Sequence, residues 1–274
     1  MGSRNPEAWK QSAGVYTNMY RLTSMTSAGA QINIHLRVVE QSVLGKLEYG
    51  GTIIQYFMPG DEDVIEEMCR IYIFIGGQII SRLGEFRKVL DEGNEERIFA
   101  ELAFCILTPQ SRAKLCWAAI ENLTSKNLLL KGDKEQIARE LNGVRFKYKK
   151  AEYIIDAREK FINNGKLNVR EKITGLKVEE ARNYLVSNIK GMGYKEASHF
   201  LRNVALAENT AILDRHVLKN LKLLGVIEEI PKSLSKKKYL EIEKRMKDFA
   251  EKICIPMSHL DFVLWYKETG DVFK

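Results

Sequence analysis

Apolar positions change their spacing near residue 60, and with it the kind of element the chain can form. Ile32, Ile34, Leu36 and Val38 alternate with polar partners, the period of a half-buried strand. A second such run, Thr52 to Phe57, follows Gly50-Gly51, so residues 1–66 are read as an N-terminal extension that could pair as a small β-hairpin. The same stretch also fits a loosely packed extension, or sequence upstream of a later start such as Met58 or Met68. From Asp61 onward apolar residues recur every three or four positions. This spacing predicts helices over 63–91, 95–107, 110–123, 133–141, 145–163, 178–189, 194–205, 215–224, 235–253 and 257–268. Gly93-Asn94, Gly132-Asp133, Asn163-Asn164-Gly165 and Pro231 punctuate them as turn residues do. The expectation is an all-α domain over residues 67–274.

Composition supports the division. Of 43 Lys and Arg and 36 Asp and Glu, only eight lie in the first 60 residues. With 45% hydrophobic residues in 274, there is material for a sizeable core, which argues against general disorder. The apolar run Ile71 to Ile75 stops at Gly76-Gly77, far short of the roughly 20 residues a membrane span needs. Residues 1–25 have no basic start followed by an apolar stretch and a small-residue cleavage site, so the cytoplasm is expected. Cys69, Cys105, Cys116 and Cys254 are too widely spaced for a ligand knuckle or a four-cysteine iron–sulfur loop, and reduced, mostly buried thiols are expected. A formal charge of +7 permits a nucleic-acid partner without requiring one.

The chemistry concentrates in Leu185 to Val204. An amphipathic helix ends near Ile189, Gly191 and Gly193 bracket Met192, and a new helix starts near Tyr194. This is a helix-hairpin-helix pattern: two glycines allow a tight turn and close approach, and the second helix aims its N-terminal amides at a phosphate. An ordinary αα-corner would read the same way. Lys195 falls in the first turn of that second helix, where the helix dipole and partial desolvation disfavour an ammonium, and a neutral amine there would be a nucleophile. Asp214 follows Ala211-Ile212-Leu213 and precedes Arg215-His216-Val217-Leu218, the position of a helix N-cap whose carboxylate could also be catalytic.

Gly191-Met192-Gly193-Tyr194-Lys195-Glu196-Ala197-Ser198-His199-Phe200-Leu201-Arg202-Asn203, followed by Ile212-Leu213-Asp214-Arg215-His216, resembles the helix-hairpin-helix DNA glycosylases. Within them the chain is similar to the archaeal-type 8-oxoguanine DNA glycosylase/AP lyases, the second Ogg family. Phe104-Cys105-Ile106-Leu107-Thr108, Arg145-Phe146 before Lys149-Lys150-Ala151-Glu152-Tyr153-Ile154, and the ending Leu260-Asp261-Phe262-Val263-Leu264-Trp265-Tyr266-Lys267 extend the likeness over roughly residues 70–274. The first 66 or so residues have no counterpart in that pattern.

The resemblance implies a two-lobed all-α fold with DNA across the cleft. It implies that Lys195 attacks C1′ of the damaged nucleotide, expels the base and forms a Schiff base, with strand cleavage by β-elimination, while Asp214 supports the developing positive charge. It places Gly191 and Gly193 on the DNA backbone and makes Gln110 a wedge for the vacated stack. Lys274 would help distinguish 8-oxoguanine from guanine. Asp261 and Trp265, four apart on one helix, could offer an acceptor and a stacking face to a flipped purine, or could be a helix-start residue and core. Phe146 would stack on the other side of the base.

His199 reads as a packed, hydrogen-bonded helix residue, and His216 as support for the aspartate. Lys147, Lys149, Lys150, Lys236, Lys237 and Lys238 are basic clusters that suit phosphates or solvent equally. No catalytic metal and no cofactor are expected. The partner would be double-stranded DNA containing 8-oxoguanine, met by a monomer. Two other readings remain: the same fold and lysine acting on another lesion such as an oxidised pyrimidine, or a non-catalytic DNA-binding module.

Overall fold

A computed structural model describes the backbone of residues 19–25, 31–39, 42–49, 52–58 and 62–274, and the side chains of residues 64–274. The chain divides into two units, residues 1–66 and 67–274.

The first unit holds β1 (Met19–Met25), β2 (Gln31–Val39), β3 (Ser42–Tyr49) and β4 (Thr52–Met58), an antiparallel sheet in sequential order. The two strands legible in the sequence are β2 and β4, yet they are not partners of one another, because β3 lies between them. In β3 the adjacent Val43 and Leu44 followed by Gly45 break the two-residue period, which hides that strand from a pattern search. Register puts Leu22, Ile34, Leu47 and Ile54 in one row across all four strands. Gly50-Gly51, a favoured composition for a two-residue hairpin, separates β3 from β4.

The rest of the chain is helical: α1 (Glu62–Asp91), α2 (Glu95–Leu107), α3 (Ala113–Ser125), α4 (Leu128–Lys131), α5 (Lys134–Glu140), α6 (Lys147–Phe161), then after a short hairpin α7 (Val169–Thr174), α8 (Val178–Asn188), α9 (Tyr194–Asn203), α10 (Arg215–Leu223), α11 (Lys236–Lys252) and α12 (Met257–Thr269). The hairpin is β5 (Ile162–Asn163) and β6 (Lys166–Leu167). Its central pair, Asn164 and Gly165, sits at φ 50° and 75°, as a type I′ turn demands. Short α4, α7 and the β5–β6 hairpin went unread because each is too brief to carry a period.

Helix α2 is buried on every side from Ile98 to Leu107 and packs on α3, α6, α7 and α9. It is the axis of a first lobe whose core runs from α2 to α9. Buried residues of α1, α10, α11 and α12, among them Ile79, Leu221, Met246 and Val263, build the second lobe. Local caps fix the helix starts. Asn94 accepts from the Arg97 amide, Asp133 and Gln136 form a reciprocal capping box, and Glu95 caps α7 from a distance through Val169 N–H at 2.6 Å.

Among the described residues no helix is long and apolar enough to cross a membrane, and no three His, Cys, Asp or Glu side chains converge as metal ligands would.

Candidate active site

A turn tight enough for the hairpin needs glycine at its first position, for two reasons. Gly191 has φ 83°, and a Cβ there would lie 2.6 Å from the ring of Tyr153 on α6, so strain and crowding both exclude a side chain. Gly193 caps α9 in an extended conformation, its amide donating to Glu196 Oε2 at 3.1 Å. Met192 between them is buried and pins the loop to the first lobe's core. Sequence spacing reveals the glycines but not Tyr153, which comes from another helix.

Lys195 is the second residue of α9. Its Nζ lies 3.5 Å from Thr108 Oγ1 and 3.5 Å from Glu196 Oε1, with about a fifth of the side chain exposed. Glu196 thus caps the helix with one oxygen and faces the lysine with the other. Asp214 caps α10: Oδ1 accepts from His216 N–H and Val217 N–H, both at 2.8 Å. Lys195 and Asp214 line one cavity of about 820 Å³, walled by the α2–α3 loop, α9, the start of α10, α12 and the segment from Asp271 to Lys274.

Asp261, Trp265, Lys274 and Gln110 line the same cavity. Asp261 is buried beside Arg202, with Nη1 to Oδ2 at 3.3 Å, and the Arg202 guanidinium lies 4.5 Å from the centre of the Phe262 ring. Burial, and to a lesser degree the Asp214 charge, push the Asp261 carboxyl up to about 6, while Arg202 and Lys195 oppose the shift. Trp265 meets His216 edge to face at 5.3 Å, and its indole N–H is buried with no hydrogen-bond partner.

The Lys274 ammonium is held by Glu101 and sits 3.6 Å above the Trp117 ring, with its side chain almost wholly enclosed. Glu101 also accepts from Asn203 Nδ2 at 2.9 Å. Burial lowers the lysine's proton affinity and Glu101 counters it. Neither Glu101 nor Trp117 carries a sequence signal, since their importance arises from side chains distant in the chain. His199 also lines the cavity, edge to face with Phe104 at 5.5 Å, and full burial drives it well below its ordinary value and keeps it neutral. The backbone of Lys274 opposes that shift, while the Arg202 and Lys195 charges add to it.

Phe146 and Lys150 stand apart from the rest. Phe146 stands outside the cavity lining with 60% of its surface exposed, because it is the N-cap of α6 in a left-handed conformation, φ 58°. Its neighbour Arg145 reaches the cavity instead. Lys150 is not a surface cation beside Lys147 and Lys149. It is buried, with Nζ donating to Leu107 O and Pro109 O at 2.7 Å each and to Ser111 Oγ at 3.0 Å.

A family model described as 8-oxoguanine DNA glycosylase matches residues 79–255. An 8-oxoguanine DNA glycosylase/AP lyase of Fusobacterium nucleatum is 47% identical over 213 residues, covering 77% of this chain and 98% of that protein. One from Methanocaldococcus jannaschii is 42% identical over 199 residues, covering 72% and 91%. The crystal structure of the Thermotoga maritima 8-oxoguanine DNA glycosylase superposes with TM-score 0.70 at 36% identity, covering 78% of this chain and 99% of that one. The M. jannaschii enzyme bound to a 15mer DNA containing 8-oxoguanine also gives TM-score 0.70, at 37% identity and 77% and 99% coverage. By the match over residues 79–255 and the identity to these relatives, the chain belongs to the 8-oxoguanine DNA glycosylase family.

Proposed function

We propose that this chain excises 8-oxoguanine from DNA and then cleaves the strand at the resulting abasic site. The observation that carries the reading is the placing of Lys195 and Asp214 on the wall of one cavity, of a size that admits a flipped purine. The family to which the chain belongs, and relatives named for both activities, support it.

In this reading the neutral Lys195 amine attacks C1′ as the bond from C1′ to N9 breaks, and the departing base takes the electron pair and a proton. The positive charge that develops on the sugar is met by the Asp214 carboxylate, held rigidly by its cap. One of the two protons on the nitrogen goes to the departing base and the other stays; opening of the C1′–O4′ bond, with O4′ protonated from solvent, then leaves an iminium between Lys195 and the sugar. Removal of a proton from C2′ then expels the 3′-phosphate, and water finally hydrolyses the imine to free Lys195.

Asp261 offers an acceptor to the purine edge, Trp265 a stacking face, and Lys274, fixed by Glu101 and Trp117, a rigid wall for discriminating the oxidised base. Gly191 and Gly193 present the hairpin to a phosphate on the DNA backbone. Gln110 fills the vacated stack, with the exposed Phe146 beside it on the duplex face. The chain acts as a monomer on double-stranded DNA, in the cytoplasm.

Borohydride trapping on duplexes carrying 8-oxoguanine, an oxidised pyrimidine or no lesion tests this. A covalent product preferred on 8-oxoguanine and lost in Lys195→Gln is expected. Equal trapping on the pyrimidine lesion would overturn the substrate, and trapping that survives the substitution would overturn the nucleophile.

A further inference from the structure

Two non-glycine residues in segments joined by hydrogen bonds have left-handed backbones: Gln110 at φ 55° and Phe146 at φ 58°. Each belongs to a different loop. Thr108 to Ser111 form a turn closed by Ser111 N–H to Thr108 O at 3.0 Å, with Pro109 second and Gln110 third. That is the pattern of a type II turn, whose third position normally takes glycine or asparagine. Phe146 occupies the N-cap of α6, a place that strong caps such as Ser or Asp usually fill. Such conformations persist only where the surroundings over-determine them.

What over-determines them is Lys150. Its buried ammonium reaches out of α6 and gathers Leu107 O, Pro109 O and Ser111 Oγ. Ser111 Oγ in turn accepts the Arg145 amide at 3.1 Å, and the Lys150 amide donates to Phe146 O at 3.0 Å. One cation and one hydroxyl therefore tie the first loop, the second loop and the helix between them. The same α2–α3 loop carries Thr108, whose hydroxyl is 3.5 Å from Lys195 Nζ.

We infer that Lys150, bridged by Ser111, is a positioning residue that locks the Gln110 and Phe146 loops into one rigid two-pronged probe, which holds the duplex open while a base is out of the stack. The inference rests on the reading of the chain as a base-extruding glycosylase. Lys150 touches no reacting atom. Its contribution is to spare the loops from ordering when DNA arrives, and it matters in proportion to the work of unpairing. A lesion paired with cytosine must be prised out, whereas one facing a missing base, or an abasic site already lacking its base, presents less to undo.

The test is single-turnover kinetics of the full chain on three duplexes: 8-oxoguanine opposite cytosine, 8-oxoguanine opposite a tetrahydrofuran gap, and a preformed abasic site. Lys150→Met keeps the aliphatic stem and strands three acceptors, so it should slow excision opposite cytosine by about 30-fold, the loss expected of a charged hydrogen-bonding hub. On the other two duplexes it should change the rate by less than about 3-fold. Lys150→Arg should recover part of the loss. Ser111→Ala, mild enough to fold, should show the same selectivity at about 5-fold. Equal slowing on all three duplexes, or no slowing opposite cytosine, in the two variants would overturn the inference; should Lys150→Met fail to fold, Ser111→Ala alone decides. If the wild-type chain cleaves none of the three, the glycosylase reading itself falls, a result distinct from uniform slowing of an active enzyme.

Discussion

Both cap bonds of Asp214 end on Oδ1, so its stabilising role and its proposed chemical role fall on different atoms of one carboxylate. Asparagine is as good a cap as aspartate but carries no charge. Asp214→Asn should therefore melt within about 1 kcal/mol of the wild type while losing on the order of 100-fold in excision rate. Asp214→Ala should add a loss of roughly 1 kcal/mol in stability for the missing cap. Thermal melts set beside single-turnover rates separate the two, and parallel losses in Asn and Ala would make Asp214 merely a cap. Asp261 predicts a pH effect. Its folded value of about 6 lies above the ordinary 3.8, so it takes up a proton as pH falls through 6 and ceases to be an anionic acceptor. The proposed kcat/KM should fall on the acid side of about pH 6, and Asp261→Asn, already lacking the charge, should show no such limb. The linkage runs opposite to that of an exposed salt-bridged carboxylate: ionising Asp261 costs folding free energy as pH climbs from about 4 to about 6.

At the scale of elements, legibility followed length and locality. Helices α1, α2, α9 and α11 have long amphipathic or apolar periods, and the predicted spans lie within a few residues of the observed ones. The hairpin glycines were visible because a backbone requirement leaves a mark at its own position. Tyr153, Glu101 and Trp117 were not, since each acts on a residue from another element and its own neighbourhood carries no sign of it. Lys150 is hidden for the same reason: as one of a run of lysines it looks like solvent-facing charge, and only the carbonyls of a loop about 40 positions earlier reveal it as buried. Gly191→Ala tests the element most directly. With φ 83° and a ring 2.6 Å from the new methyl, it should destabilise the fold by roughly 1–3 kcal/mol. Binding to undamaged duplex should weaken at the same time, whereas retention of both would remove the hairpin from the proposed interface.

For the whole molecule, the matched relatives account for 98–100% of their own length in several cases while covering only 77–78% of this chain. We propose that the helical unit, residues 67–274, works without the four-stranded sheet. The structure also decides where such a unit can start. Met68 lies inside α1, is 1% exposed, and follows Glu67, which pairs with Lys267 of α12. A chain beginning there would place a charged amino terminus in the interior and lose that ion pair. Residues 59–274 should fold and cleave as the full chain does, whereas residues 68–274 should melt at lower temperature. Failure of the longer piece to fold would make the sheet an integral part of the enzyme.

The β5–β6 turn sets a chemical clock on this molecule. Asn164 and Gly165 are exposed and flank a peptide bond with no Cβ on the following residue to shield it. Asparagine before glycine is the sequence most open to attack of the backbone nitrogen on its own side-chain amide, with ammonia as the leaving group. The succinimide that forms opens with water to aspartate or isoaspartate. Each event adds a negative charge, and the isoaspartate product lengthens the backbone by one carbon inside a two-residue turn. Ageing of the protein in solution should thus register first at this hairpin, remote in sequence from the lysine and carboxylates of the cavity, as a slow acidic drift in a population that otherwise stays uniform.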